Sequence, residues 1–248
     1  MNGDLIGVNT DILSGSGTSS GVGFAIPAAL ARQVVMTALG GGHSVIRPWL
    51  GVRGQALTGE MARSLGLASP QGVVAADIWP GGPAARAGIT SGDVIVQVNG
   101  APVNDPTALN YSVATLAPGA QATLLVRRAG GAERTVTVRL EAPPDTPAKD
   151  ETPITGANPL NGAVVINLSP AAAEQLGLDP FAGTGVAVEQ VQGGYAARLV
   201  QPGDFIRRVN GQTITNVAQL TQALSAAQGR WVLVIDRGGQ LVQVQIGM

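Results

Sequence analysis

Short runs of apolar and polar residues in alternation, each closed by a turn signal, recur along this chain and predict strands with a few short helices. Two of these runs are near copies. Residues 92–100 read Gly-Asp-Val-Ile-Val-Gln-Val-Asn-Gly, and residues 203–211 read Gly-Asp-Phe-Ile-Arg-Arg-Val-Asn-Gly. In each, Gly-Asp opens a turn, apolar positions follow, and Asn-Gly gives a two-residue hairpin signal. The copies stand 111 positions apart. Their neighbours repeat as well: Ala84-Ala85-Arg86 with Ala196-Ala197-Arg198, Leu109 with Leu220, and Arg128 before Gly130-Gly131 with Arg237-Gly238-Gly239. So long a period exceeds a solenoid unit and predicts two copies of one domain.

The pattern places the other elements. Asp105-Pro106 supplies an N-cap and a proline at the first helical position, so a helix runs to about Leu116 and stops near Pro118-Gly119. Leu109, Val113 and Leu116 share one face of it. Strands follow at Ala122–Arg127 and Glu133–Leu140. The second copy predicts a helix at about Val217–Ala227 and strands at Trp231–Asp236 and Leu241–Ile246. At the start, Asp4–Ile12 and Val22–Ile26 read as strands around a Gly/Ser/Thr loop, Ser14–Gly21, and Pro27–Leu39 reads as a helix. Glu141–Asn158, with Pro143, Pro144, Pro147 and Pro153, reads as a semi-rigid linker.

Composition narrows the function classes. Hydrophobic residues are 45% of the chain and charged residues 12%, ample for packed cores, while 35 Gly and 3% aromatics favour short strands and tight turns. Net charge is −1 with Lys and Arg scattered, which argues against nucleic acid and against an anionic membrane surface. Val22–Leu39 is broken by Pro27, Arg32 and Gln33, so no membrane insertion is expected there. The start, Met1-Asn2-Gly3-Asp4, has no apolar stretch of a secretory signal. With no Cys and a single His, His43, neither disulfides nor thiolate or multi-histidine metal sites are possible, and no cofactor or metal is expected.

These motifs resemble those of the HtrA (Do/Deg) family of serine proteases along nearly the whole chain. The Gly-Asp-x-Ile-x-x-Val-Asn-Gly pattern, preceded by Pro83–Gly88, is similar to the heart of a PDZ domain. The run Asn2–Thr10, followed by Val22-Gly23-Phe24-Ala25-Ile26-Pro27, is similar to the last strands of that family's chymotrypsin-like barrel. The resemblance implies an α+β, mainly β fold: two tandem PDZ domains, each a partly open barrel with a groove helix, after a remnant of a trypsin-like barrel. The expected boundaries are 1–40 for the remnant, 46–142 for the first PDZ domain, 143–158 for the linker and 159–248 for the second. The family's Gly-Asn-Ser-Gly-Gly motif does not occur in these residues. His43 matches no catalytic position, and Ser14, Ser16, Ser19 and Ser20 read as a solvated loop. A serine needs an adjacent base to become nucleophilic. The chain as given is therefore expected to be inactive, with Met1 an internal methionine of a longer protein. In the family, Val22, Gly23 and Phe24 would wall a specificity pocket.

A PDZ domain binds a C-terminal peptide by adding it as a strand to a sheet edge, with backbone amides holding the terminal carboxylate. In the first copy the loop matching that role is Trp49-Leu50-Gly51-Val52, with Leu109, Val113 and Leu116 lining the pocket for the last side chain; an apolar C-terminus would fit. Leu50 and Val52 can equally be core residues at a strand start. The second copy offers Leu160-Asn161-Gly162-Ala163 with Leu220, Ala223 and Leu224. Polar Asn161 and small Ala163 predict weaker or different binding there, and a structural or docking role stands beside peptide capture. Trp49 is the best tryptophan candidate for a peptide contact, Trp231 reads as core and Trp79 as a turn residue. Asp93 and Asp204 are expected to bond their own turns. In Arg207-Arg208, one arginine is expected to be solvated and the other to meet a surface neighbour. The resemblance implies unfolded or misfolded polypeptides and their C-termini as partners, a periplasmic setting, and trimer-based assembly through the barrel, so that this piece need not assemble. A stand-alone PDZ scaffold is the rival reading.

Overall fold

The computed structural model describes residues 4–12, 23–39, 47–226 and 229–247. Val22, His43, Ala227 and the expected Ser14–Gly21 loop lie outside them. The fold is mainly β with short helices, and it separates into two compact units, Met1–Pro143 and Pro144–Met248.

Unit 1 opens with a two-stranded antiparallel sheet, β1 (Gly7–Ile12) with β2 (Gly23–Pro27), followed by helix α1 (Ala28–Leu39). The Ala28 amide donates to the Ile6 carbonyl at 3.1 Å and starts the helix on the hairpin. Leu5, Ile6, Phe24, Ile26, Val35, Met36 and Leu39 are exposed here, apolar side chains with no core over them among the described residues.

The main sheet of unit 1 is antiparallel. In chain order its elements are β3 (Val52–Ala56), α2 (Gly59–Ser64), β4 (Val73–Ile78), α3 (Pro83–Arg86), β5 (Val94–Val98), β6 (Ala101–Pro102), α4 (Pro106–Ala114), β7 (Gln121–Arg127) and β8 (Glu133–Arg139). Spatially the strands run β3-β4-β5-β7-β8, with β6 paired to β5. Asn99 and Gly100, at φ 49° and 81°, form the tight turn the sequence signalled. The Asn99 side chain then accepts from the Thr123 amide at 2.8 Å, tying the turn to β7. Asp105 caps α4, accepting from the Ala108 amide at 2.8 Å, with Pro106 inside the first turn. Alternate residues of β7, Ala122, Leu124 and Val126, are buried in a core with Leu50, Val73, Ile95, Leu109 and Val113.

Unit 2 repeats this plan with β10 (Ala163–Asn167), α5 (Pro170–Gln175), β11 (Val186–Val191), β12 (Phe205–Val209), β13 (Gln212–Thr213), α6 (Val217–Ala226), β14 (Arg230–Arg237) and β15 (Gln240–Gly247). It adds one short strand in front, β9 (Thr152–Pro153), so its order is β15-β14-β12-β11-β10-β9. The sequence repeat is reproduced in detail. Asn210 and Gly211 take φ 50° and 84°, and Asn210 accepts from the Val232 amide at 2.7 Å. Trp231 is fully buried in this core.

The proline-rich stretch read as a linker over 143–158 is, from Pro144 on, part of unit 2. Its backbone is bonded along its length: the Asn167 amide donates to the Lys149 carbonyl (2.7 Å), the Ala171 amide to the Pro144 carbonyl (3.1 Å), and Ile154 enters the core at 4% exposure. Prolines do not forbid this, because an edge strand needs only every second amide for pairing.

Candidate functional site

The first candidate site is built on β3, the last strand of its sheet; among the described residues its one strand partner is β4. One long side of β3 therefore pairs with no other strand among the described residues, the requirement for adding a peptide strand. Helix α4 packs against β3 and turns Leu109 and Val113 into the core beside Leu50, with Val52 and Leu116 partly buried around them. The structure thus gathers five of the seven residues singled out in the first copy.

The loop before β3 is held by its carbonyls. The Trp49 carbonyl accepts from Glu141, the Leu50 carbonyl from Ala84 at 3.0 Å, and the Gly51 carbonyl from Trp79 at 2.9 Å. A trans peptide sets each N–H opposite the preceding C=O. With those three carbonyls tied down, the amides of Leu50, Gly51 and Val52 are turned away from the groups that hold the loop. Among the described residues, the Leu50 and Gly51 amides donate to no protein acceptor. Gly51 stands at φ 74°, where a side chain is strained. A Cβ there would also lie 3.3 Å from the Trp49 ring and 3.4 Å from Pro83.

Trp49 sits behind the loop instead of facing outward. It is 7% exposed and meets Trp79 edge-on, with ring centroids 5.8 Å apart. The pair forms a rigid wall under Gly51. Gly54 was not singled out from the sequence. A Cβ on it would lie 2.7 Å from Val73 Cγ1 of β4, a clash, while Pro106 and Leu109 of α4 would stand at ordinary contact distances of 3.6 and 3.7 Å, so a side chain here would have to displace Val73. The signal was a glycine inside a strand, which marks a close approach.

In unit 2 the corresponding loop, Leu160-Asn161-Gly162-Ala163, keeps the same carbonyl bonds: Asn161 accepts from Ala196 at 3.1 Å and Gly162 from Gln192 at 2.7 Å. Leu160, Leu220, Ala223 and Leu224 are buried together in one cluster. Its amides differ. The Asn161 amide donates to Asn158 (3.2 Å), the Gly162 amide to Ile154 (3.0 Å) and the Ala163 amide to Leu160 (3.0 Å). The edge of β10 is also taken, by β9. A crevice of about 640 Å³ lies between the 153–158 segment and Thr221, Leu224 and Ser225 of α6.

Both turn aspartates are buried and face arginine. Arg237 donates to both Asp204 oxygens, at 2.8 and 2.7 Å, and its pKa is raised by the Asp204 hydrogen bond. Arg128 and Arg134 reach Asp93 at 3.1 and 3.3 Å. Each carboxylate also accepts from its own turn, Asp93 from Thr90 and Asp204 from Gln201. These groups brace the units and lie apart from the groove residues. Arg208 is exposed while Arg207 holds Asp236 at 2.8 Å over the Phe205 ring. Gly23 and Phe24 lie exposed on β2.

Residues 48–140 match the family model described as "PDZ domain". The chain is 38% identical over 232 residues to a probable periplasmic serine endoprotease DegP-like of Brucella suis biovar 1 (strain 1330), covering 92% of this chain and 44% of that one. A protein of the same description from Chlamydia muridarum (strain MoPn / Nigg) is 36% identical over 248 residues, covering 98% and 48%. The chain thus spans about half the length of these curated relatives. Among solved structures, one described as HtrA-type protease AlgW with decapeptide is 42% identical over 57% of this chain and 43% of its own, with a TM-score of 0.44. The serine endoprotease from Yersinia pestis is 31% identical over 56% and 44%, with a TM-score of 0.36.

Proposed function

Starting from this chain's place as a relative of the HtrA/DegP-like serine proteases that carries a PDZ domain, we propose that it captures the C-terminal ends of unfolded or misfolded polypeptides on the open edge of β3. The observation that carries this is the pairing of a sheet edge left open among the described residues with a glycine loop whose Trp49, Leu50 and Gly51 carbonyls are engaged. The peptide's main chain pairs with β3, its carboxylate meets the amides of Leu50, Gly51 and Val52, and its last side chain enters between Val52, Leu109, Val113 and Leu116. No basic side chain is needed, because converging amides form an anion site themselves. The apolar lining selects an apolar last residue.

In this reading residues 46–142 of unit 1 are a substrate-recognition module of a periplasmic protease, and unit 2 is a second PDZ-like module. Cleavage belongs to catalytic residues that these 248 positions do not supply, so the chain alone leaves casein intact. Trimer-based assembly in the family is a property of the barrel. One anchored side chain and a short strand give an affinity of about 1 μM, close to −8 kcal/mol.

The test is a calorimetric titration with two peptides that differ only in the last residue, Val or Asp. Micromolar binding of the first and loss of the second are expected. Equal binding of both, or of neither, removes the proposal. A scaffold without any protease history would bind the same way, and only the coding sequence upstream of Met1 separates the two.

A further inference from the structure

We propose that residues 149–154 are a tethered ligand of unit 2, filling on β10 the peptide position that stays open on β3 among the described residues. The inference rests on the peptide-capture reading of unit 1 and extends it to the repeat.

The polarity carries it first. The segment pairs antiparallel with β10, Thr152 opposite Val165 and Pro153 opposite Val164. Its C-terminal end, Ile154, therefore lies beside the 160–163 loop, where a peptide's last residue would be placed by the same geometry in unit 1.

The contacts agree. The Ile154 amide donates to the Ala163 carbonyl at 2.8 Å, and the Gly162 amide donates to the Ile154 carbonyl at 3.0 Å. A backbone carbonyl thus occupies the position that a terminal carboxylate would take on Gly162. The Ile154 side chain is 4% exposed and belongs to one cluster with Leu160, Leu220 and Leu224, three of the residues lining the candidate pocket. Pro153 costs the ladder nothing, since Ile154 donates inward and its neighbour's nitrogen faces outward. The far end is clamped: Lys149 meets Glu189 of β11 at 2.6 Å, and the Asn167 side chain donates to the Ala148 carbonyl at 3.0 Å. Nothing comparable is bonded to β3 among the described residues.

The test uses the full chain and a free hexapeptide of the same sequence, Lys-Asp-Glu-Thr-Pro-Ile, with its carboxylate intact. Amide shifts are followed at 160–167 in the wild type and in Ile154→Ala, with Trp231 fluorescence reporting that unit 2 is folded. The wild type is expected to show no shifts in 160–167, and the variant to bind there at least tenfold more tightly. Wild-type binding at 160–167 equal to the variant's overturns the inference, as does a folded variant that refuses the hexapeptide. If Ile154→Ala unfolds unit 2, Lys149→Ala, which removes a half-exposed clamp only, takes its place with the same criteria. Hydrogen exchange of the Gly162 and Asn167 amides gives an independent readout: protection is expected, and exchange at the unstructured rate contradicts the pairing. Failure of unit 1 to bind any peptide would sink the capture reading instead, while the exchange result would still decide the state of β10.

Discussion

The Trp79 amide donates to the Gly51 carbonyl at 2.9 Å, and the Trp79 ring stands edge-on to Trp49, whose own ring lies against that glycine. One bond and one ring pair therefore fix the peptide plane whose N–H is carried by Val52. Gly51 can hold this plane only at φ 74°. A Gly51→Ala chain is expected to lose about 1–3 kcal/mol of stability in unit 1, the range for a side chain forced into such a conformation. It is expected to bind apolar-ended peptides about tenfold more weakly, the equivalent of about 1.4 kcal/mol. Chemical denaturation and calorimetry on the same sample check both; unchanged affinity in a folded variant would remove Gly51 from the site.

Leu109 and Leu116 separate packing from binding. Leu109 is 2% exposed and part of the core; Leu109→Ala is expected to cost about 2–5 kcal/mol of stability. Leu116 is only partly buried at the margin of that core. Leu116→Ala is expected to cost about 1 kcal/mol, a fraction of a full leucine burial, yet to weaken binding of a leucine-ended peptide several-fold. Comparable losses of affinity and stability in both variants would make Leu116 a core residue only.

The buried aspartates give a comparison between units. Asp204 depends on Arg237 alone among the described arginines, whereas Asp93 has Arg128 and Arg134. Removing the single partner of a buried carboxylate is costly, about 3 kcal/mol. Arg237→Ala is expected to destabilise unit 2 by that order, and Arg128→Ala to cost unit 1 less than half as much. Trp231 fluorescence during urea unfolding follows the first, and a reversed ranking would contradict the assignment.

Lys149 sets the pH response of the tethered segment. Its pKa is raised from 10.5, chiefly by the hydrogen bond to Glu189; burial opposes this, and Glu151 adds to the rise. A raised lysine contributes stability fully below its unfolded value and loses it as pH climbs through the folded one. The Ile154 methyl resonances are therefore expected to stay constant between about pH 6 and 9 and to move only above about pH 10.5. A transition near neutrality would show that another group controls the segment.

The repeat was legible because Gly-Asp, Asn-Gly and the Asp105-Pro106 cap act within a few residues of themselves. Helix α4 accordingly starts at Pro106 and the hairpins form at Asn99 and Asn210. The loop around Gly51 was legible for the same reason. Three features were not. Gly54 matters through Val73 of the neighbouring strand, which is distant in sequence. Trp49 is withdrawn behind the loop by Trp79, a partner that local pattern does not name. The segment 149–154 carries the prolines and charges of a linker, and its one buried apolar side chain, Ile154, gives no periodicity to detect; its pairing is decided by the vacant margin of β10.

The most direct measurement is an NMR titration of the full chain with one valine-ended peptide as the free acid and as the C-terminal amide. The free acid is expected to shift the amides of Leu50, Gly51, Val52 and Gly54 and the methyls of Leu109 and Val113, and the amide form to bind at least tenfold more weakly. Equal shifts from the two peptides would show that the Gly51 loop does not hold a carboxylate, and shifts elsewhere would show that β3 is not the receiving strand.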